Sequence, residues 1–168
     1  MNIYDFALKM ESDGEQYYRQ QAAQTKYEKL KVVLEGLADD EQRHYKIVQQ
    51  LQNQNLDYIE PNPALNKMRN VFELGDSLKK ISQEPDSLIT LKEEQWDVYQ
   101  AALRKEEESV KLYKKLKEST DSQAAKDIIE KLIQEEESHA EVLDKIIEML
   151  NNVNEWVESA EFNHQKPY

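Results

Sequence analysis

Apolar side chains recur every three or four residues along four long stretches of the chain, and this spacing is lost between them. Such spacing places the apolar residues on one face of an α-helix. The pattern predicts four amphipathic helices over roughly residues 2–24, 27–53, 88–118 and 121–151. Because each of these helices has one apolar face to bury, we expect them to pack together as a bundle.

Two of the three connections between these helices are short. One is a break near Thr25, and the other is the sequence "STDS", where Ser119 or Thr120 is the predicted N-cap of the fourth helix. Connections of this length join antiparallel neighbours. The first and second helices, and the third and fourth, should therefore form two antiparallel hairpins.

The remaining connection is a long crossover over about residues 54–87, in which three prolines and a glycine interrupt the helical pattern. Its middle, around residues 68–81, predicts a shorter helix. The predicted fold is thus all-α, a four-helix bundle of two hairpins within residues 1–151, followed by a C-terminal tail at 152–168.

The two hairpins repeat each other in sequence. A shift of 95 residues, with no gap, aligns "ALKMESDGEQYY" (7–18) with "ALRKEEESVKLY" (102–113), and "LADDEQRHYKIV" (37–48) with "LIQEEESHAEVL" (132–143). Four pairs of polar or aromatic residues coincide under this shift: Glu11 with Glu106, Tyr18 with Tyr113, Glu41 with Glu136, and His44 with His139. The repeat predicts a bundle with an approximate two-fold relation between its halves.

Four glutamates and two histidines of the repeat fall within the apolar faces of their helices, so their side chains should point into the bundle. Four carboxylates in one core would repel each other and resist leaving water unless positive charge compensated them. Two divalent cations would neutralise the four charges, and two imidazoles would complete their coordination. Iron, manganese and zinc all accept such ligands, and iron or manganese would allow redox chemistry.

Composition and charge exclude or disfavour several other functions. The net charge of −12 disfavours nucleic acids and anionic membranes as partners, and the absence of cysteine excludes disulfides, thiolate metal sites and cysteine nucleophiles. The N-terminus lacks the pattern of a signal peptide, so we expect a cytoplasmic protein. A third Glu-x-x-His sequence, "EFNH" in the tail near Trp156, has no repeat partner and is a poor candidate for a metal site.

The arrangement of a glutamate on the first helix, Glu-x-x-His on the second, and the same again on the third and fourth resembles the rubrerythrin branch of the ferritin-like di-iron carboxylate superfamily. The resemblance covers about residues 3–150. It implies a ferritin-like bundle that binds two iron ions through Glu11, Glu41, His44, Glu106, Glu136 and His139, with Glu41 and Glu136 bridging the metals. It also implies that Tyr18 and Tyr113 lie beside the metals as hydrogen-bond partners, the alternative being that both tyrosines simply pack in the core.

Two features depart from the family's pattern. Full-length rubrerythrins carry a rubredoxin domain with two Cys-x-x-Cys knuckles, whereas this sequence has no cysteine, so electrons would come from an external donor such as a rubredoxin-like protein. Typical rubrerythrins also have an extra glutamate three residues after the third-helix ligand, where this chain has Ser109. The neighbouring Glu107 and Glu108 should point away from the site. The serine brings the ligand set closer to that of a ferritin-type ferroxidase centre.

Three functions are consistent with these residues. The first is a non-haem di-iron oxidoreductase that reduces hydrogen peroxide or dioxygen and forms a small oligomer, expected to be a homodimer. The second is a ferritin-like ferroxidase or iron-storage protein, which would require a large closed shell. The third is a metal-free helical interaction protein, in which the buried glutamates would have to be protonated.

Overall fold

A computed structural model describes residues 1–56 and 85–152 of the chain. Within these residues the chain forms four α-helices and no strand, namely α1 (Ile3–Gln24), α2 (Glu28–Gln52), α3 (Pro85–Ser119) and α4 (Gln123–Asn151). The predicted all-α bundle is confirmed. The predicted short helix at 68–81 and the tail that contains Trp156 and "EFNH" lie outside the described residues.

Side-chain caps set the first residues of two helices. The Asn2 side chain accepts a hydrogen bond from the Asp5 N–H at 2.9 Å, and the Asp5 carboxylate accepts one from the Asn2 N–H at 3.2 Å, which together form a capping box at the start of α1. At the start of α4 the cap is Ser122, whose hydroxyl accepts from the Ala125 N–H at 3.3 Å. The prediction of Ser119 or Thr120 as this cap was wrong. Ser119 is the last residue of α3, and Thr120 lies in the connection, two residues before the cap.

The helices pack as two hairpins, α1 against α2 and α3 against α4, each closed by a three-residue connection. Fewer contacts join α1 to α3 and α2 to α4, which bring the hairpins together. No helix among the described residues is both long and apolar enough to cross a membrane.

The buried apolar residues form two clusters at different levels along the bundle. One cluster includes Tyr18, Ala38 and Val142, and the other includes Ala7 and Ile133. On every helix the polar residues singled out by the repeat lie in sequence between members of the two clusters. The polar site therefore occupies the middle of the bundle, with apolar side chains above and below that exclude water.

Candidate metal centre

The six residues of the predicted metal site lie together and are almost completely buried. None of the six residues has more than 3% of its surface exposed, and four of them are fully buried, namely Glu11, His44, Glu136 and His139. The two imidazole rings face each other across the centre, with ring centroids 5.8 Å apart and planes inclined by 19°. The arrangement brings the two halves of the sequence repeat into one site.

These residues form two groups, each able to offer four ligand atoms that lie within 4.8 Å of one another. The first group draws on α1, α2 and α4, and the second on α2, α3 and α4. Their members are Glu11, Glu41, His44 and Glu136 in the first group, and Glu41, Glu106, Glu136 and His139 in the second. Glu41 and Glu136 belong to both groups, so each places carboxylate oxygens within reach of two positions.

In the second group, the imidazole nitrogen lies close to the distance from each carboxylate oxygen that a shared ion requires. The Nδ1 atom of His139 lies 3.5 Å from one oxygen of each of the three glutamates in that group. Ligand atoms bound to one ion at about 2.1 Å lie roughly 3.0–3.4 Å apart, depending on the coordination geometry. Movements of a few tenths of an ångström would bring Nδ1 and each of these oxygens to such a separation.

Buried polar atoms without hydrogen-bond partners indicate what kind of ligand the site can bind. One oxygen of each of the four glutamates is buried with no hydrogen-bond partner among the described residues, as is Nδ1 of His139. Buried polar atoms without partners are costly, and carboxylate oxygens can be satisfied by hydrogen-bond donors or by cations. Because the free atoms are potential ligands, the residues fit bound divalent metal ions.

The metal-free carboxylates do not all ionise at neutral pH. Burial raises the pKa of Glu136 to about 8, and repulsion from Glu106 and Glu41 adds to this effect. Burial also raises the pKa of Glu11 and Glu41. Burial opposes the ionisation of Glu106 as well, but hydrogen bonding with Glu136 and the charge of His139 outweigh it and lower the pKa to about 2. Some of the glutamates therefore hold protons that a metal ion would displace.

The histidines carry the compensating charge in the metal-free protein. Burial disfavours their protonation, but the negative charges of Glu11 and Glu136 raise the pKa of His44 well above its ordinary value. Glu106, together with the hydrogen bond to Asp40, does the same for the pKa of His139. A cation that replaced these protons would take over their role.

We expect the metal-free protein to lose stability as the pH rises from 6 to 8. The raised pKa values of Glu136 and the two histidines mean that the folded chain holds protons that the unfolded chain releases, so the free energy of unfolding falls with pH. Each excess proton contributes a slope of about 1.4 kcal/mol per pH unit. Urea denaturation of chelator-treated protein at pH 6, 7 and 8 measures the slope. A metal-loaded control should lose this dependence, and a metal-free stability that rises with pH would contradict the assignment.

Two tyrosines, one from each hairpin, donate hydrogen bonds to glutamates of the candidate centre. The Tyr18 hydroxyl on α1 donates to Glu106 on α3, and the Tyr113 hydroxyl on α3 donates to Glu11 on α1. Both phenols are buried, and burial together with the neighbouring carboxylates raises the pKa of each well above its ordinary value. Each tyrosine therefore stays protonated at neutral pH and fixes one carboxylate of the other hairpin.

The structure adds two acidic residues that the sequence interpretation missed. Asp40 lies 2.8 Å from Nε2 of His139, and Glu135 contacts Nε2 of His44. Each contact holds an imidazole with Nδ1 toward the centre, as the carboxylate partners of metal-binding histidines do. Asp40 and Glu135 are themselves related by the 95-residue repeat, and this was the signal that could have identified them.

The buried side chain of Arg43 contacts both of these carboxylates. The Arg43 guanidinium contacts Glu135, and its Nη2 atom lies 3.5 Å from an oxygen of Asp40. The equivalent residue in the other hairpin is Ser138, so this contact has no counterpart there and the repeat could not have revealed it. Arg43 offsets part of the negative charge of the site without offering a ligand atom.

Replacing Asp40 with asparagine should weaken metal binding about 10- to 100-fold, which is the usual cost of losing the partner of a metal-binding histidine. Asparagine keeps the size of the side chain but removes the charge that holds His139. Competition with a metallochromic chelator measures the affinity. Asp39→Asn, on the exposed neighbour that contacts Arg19 at 3.1 Å, is the matched control and should bind metal as the parent chain does. Equal affinities for the two variants would contradict this role of Asp40.

Two small residues flank the centre at equivalent positions of the repeat. Gly14 lies three residues after Glu11, and Ser109 lies three residues after Glu106. A Cβ atom on Gly14 would lie only 2.6 Å from Oε2 of Glu41, so the glycine leaves the space that this carboxylate occupies. The Ser109 hydroxyl donates to the Lys105 carbonyl of its own helix at 2.9 Å and so turns away from the centre. Glu107 and Glu108 are both exposed.

Comparison of the sequence with models of known protein families identifies one matching family. The family model described as "Rubrerythrin" matches residues 2–147, and a second match covers residues 97–167. The second match begins 95 residues after the first, which equals the offset of the internal repeat. Neither a curated protein nor a solved structure gives a significant match.

Proposed function

The chain belongs to the rubrerythrin family and folds as a ferritin-like four-helix bundle, and we propose that it is a non-haem di-iron oxidoreductase that reduces hydrogen peroxide. The observation that carries the proposal is the pair of buried ligand groups that share Glu41 and Glu136. The unpartnered oxygens of all four glutamates support bound metal ions over a metal-free scaffold.

Each side chain has a distinct part in this proposal. Glu11 and His44 would hold one ion, Glu106 and His139 the other, and Glu41 and Glu136 would bridge them. Iron bound there would supply the electrons that break the O–O bond of a peroxide or of dioxygen. Manganese or zinc could occupy the same ligands, but zinc would not supply redox chemistry.

The surrounding residues would position the ligands and supply protons. The hydroxyls of Tyr18 and Tyr113 donate hydrogen bonds to carboxylates of the site. Their protons would be close enough to the centre for transfer to a peroxide oxygen. Asp40 and Glu135 keep the two imidazoles in place. The apolar clusters above and below the centre exclude bulk water, which strengthens each of these interactions.

Rapid mixing of ferrous-loaded protein with hydrogen peroxide tests this function. We expect one peroxide to be consumed for every two ferrous ions, with a change in the visible spectrum. Repeated turnover would require an external electron donor, such as a rubredoxin-like protein. Mixing without peroxide consumption or a spectral change would contradict the proposal.

A ferroxidase function is the second candidate, and Ser109 is the observation that favours it. The serine hydroxyl is bonded to its own helix, so this position adds no carboxylate to the ligand set. In a ferroxidase, Fe(II) is the substrate and Fe(III) the product. Dioxygen or peroxide would then oxidise added Fe(II) in excess of two ions per chain without an external electron donor, whereas a peroxidase would stop at its bound iron.

A further inference from the structure

A cavity of about 280 Å³ lies between α1 and α3 beside the candidate centre. Its inner end is formed by Glu41, Glu106 and Tyr18. Its outer end includes the apolar Phe6 and Met10 together with four charged residues, namely Lys9, Asp13, Lys105 and Glu108. The inner end therefore contains one glutamate shared by both ligand groups and one that belongs to the second group alone. One oxygen of each of these two glutamates is buried and unpartnered.

The cavity exists because small residues stand at equivalent places on the two helices. Gly14 on α1 and Ser109 on α3 both line it. Gly14 has no side chain, and the Ser109 hydroxyl is held against its own helix by the 2.9 Å bond to the Lys105 carbonyl. A longer side chain at Ser109 would extend into this space.

The cavity is larger than hydrogen peroxide needs. A water molecule occupies about 30 Å³ in the liquid, so hydrogen peroxide needs roughly twice that volume, whereas an apolar cavity of about 150 Å³ holds benzene. The 280 Å³ of the cavity beside the centre, which is half open to solvent, exceeds both. Phe6, of which 52% is exposed, and Met10 supply apolar surface toward the outer end, and methionine adapts readily to ligands of different shape.

We propose that this cavity binds the organic group of an alkyl or aryl hydroperoxide, with the peroxide group directed toward Glu41 and Glu106. This inference rests on the proposed peroxide reduction and names a further class of substrate for it. The reaction breaks the O–O bond and consumes two electrons and two protons. One oxygen leaves in the alcohol and the other in water, and an external one-electron donor protein is oxidised twice.

Binding of 2-phenyl-2-propanol, the alcohol formed from cumene hydroperoxide, tests the cavity without any redox step. Calorimetric titration of the metal-loaded full chain should detect binding, and Ser109→Leu should weaken it at least tenfold by filling the cavity. Ser138→Leu is the matched control, since the Ser138 hydroxyl also bonds the carbonyl four residues earlier, at 2.9 Å, but lies outside the cavity. Phe6→Ala, which cannot overfill the core, should weaken binding at least threefold.

A comparison of kcat/KM for cumene hydroperoxide and hydrogen peroxide provides a second test. Ser109→Leu should lower the ratio of kcat/KM for cumene hydroperoxide to that for hydrogen peroxide at least threefold, whereas Ser138→Leu, outside the cavity, should leave that ratio at the parent value. Absence of alcohol binding, or equal effects on the two peroxides, would overturn the inference and leave the proposed function intact. Alcohol binding that depends on Ser109, in a chain that reduces neither peroxide, would overturn the proposed function instead.

Discussion

Replacement of Glu136 with glutamine should remove both metal ions from the centre and not merely one. Glu136 belongs to both ligand groups, so its carboxylate would be the common partner of the two proposed ions. Glutamine has nearly the same size but lacks the negative charge, and we expect the affinity for both ions to fall by more than about 100-fold, beyond the usual loss of an outer partner. Metal content after equilibrium dialysis against ferrous iron measures the effect.

Variants of the unshared glutamates are the matched controls for Glu136→Gln. Glu11 belongs to the first group alone and Glu106 to the second alone. Glu11→Gln and Glu106→Gln should therefore each retain one tightly bound ion per chain. If Glu136→Gln also retained one ion at parent affinity, Glu136 would not be shared between the two ions.

Replacement of Gly14 with alanine should weaken metal binding about tenfold or more while the helix itself becomes no less stable. Alanine within a helix is favoured over glycine by about 0.5–1 kcal/mol. Its Cβ atom, however, would lie 2.6 Å from Oε2 of Glu41, and this flexible side chain would have to move. Because Glu41 belongs to both ligand groups, its displacement should affect both ions.

Ser109→Ala separates this effect from the general effect of an alanine at this level of the bundle. It places the same side chain at the equivalent position of the other hairpin but adds no atoms. We expect parent metal affinity for Ser109→Ala and reduced affinity for Gly14→Ala, measured by chelator competition. Thermal unfolding of both metal-free variants checks that they fold. Unchanged metal affinity in a folded Gly14→Ala protein would show that Glu41 need not occupy its observed position.

The helices could be predicted because their apolar spacing persists over many turns. The structure moves α3 to begin at Pro85, three residues before the predicted start, and proline is well suited to the first turn of a helix. The cap of α4 was misplaced because the four residues of "STDS" all cap helices well, and only the turn geometry selects Ser122.

The six candidate ligands could be predicted because two independent signals agreed, the inward face of each helix and the common 95-residue shift. The contacts around them could not. Helical spacing places Glu135 beside the inward Glu136, but only the packing of α2 against α4 brings it to His44. Likewise, nothing in the sequence indicates that Tyr18 and Tyr113 reach glutamates of the opposite hairpin.

In the proposed centre, six side chains hold two metal ions that share Glu41 and Glu136. Anomalous diffraction at the iron edge, from crystals of the iron-loaded chain, tests it most directly. We predict two peaks per chain, one beside Glu11 and His44 and the other beside Glu106 and His139, with both shared carboxylates between them. A single peak, or peaks remote from these six residues, would contradict the account.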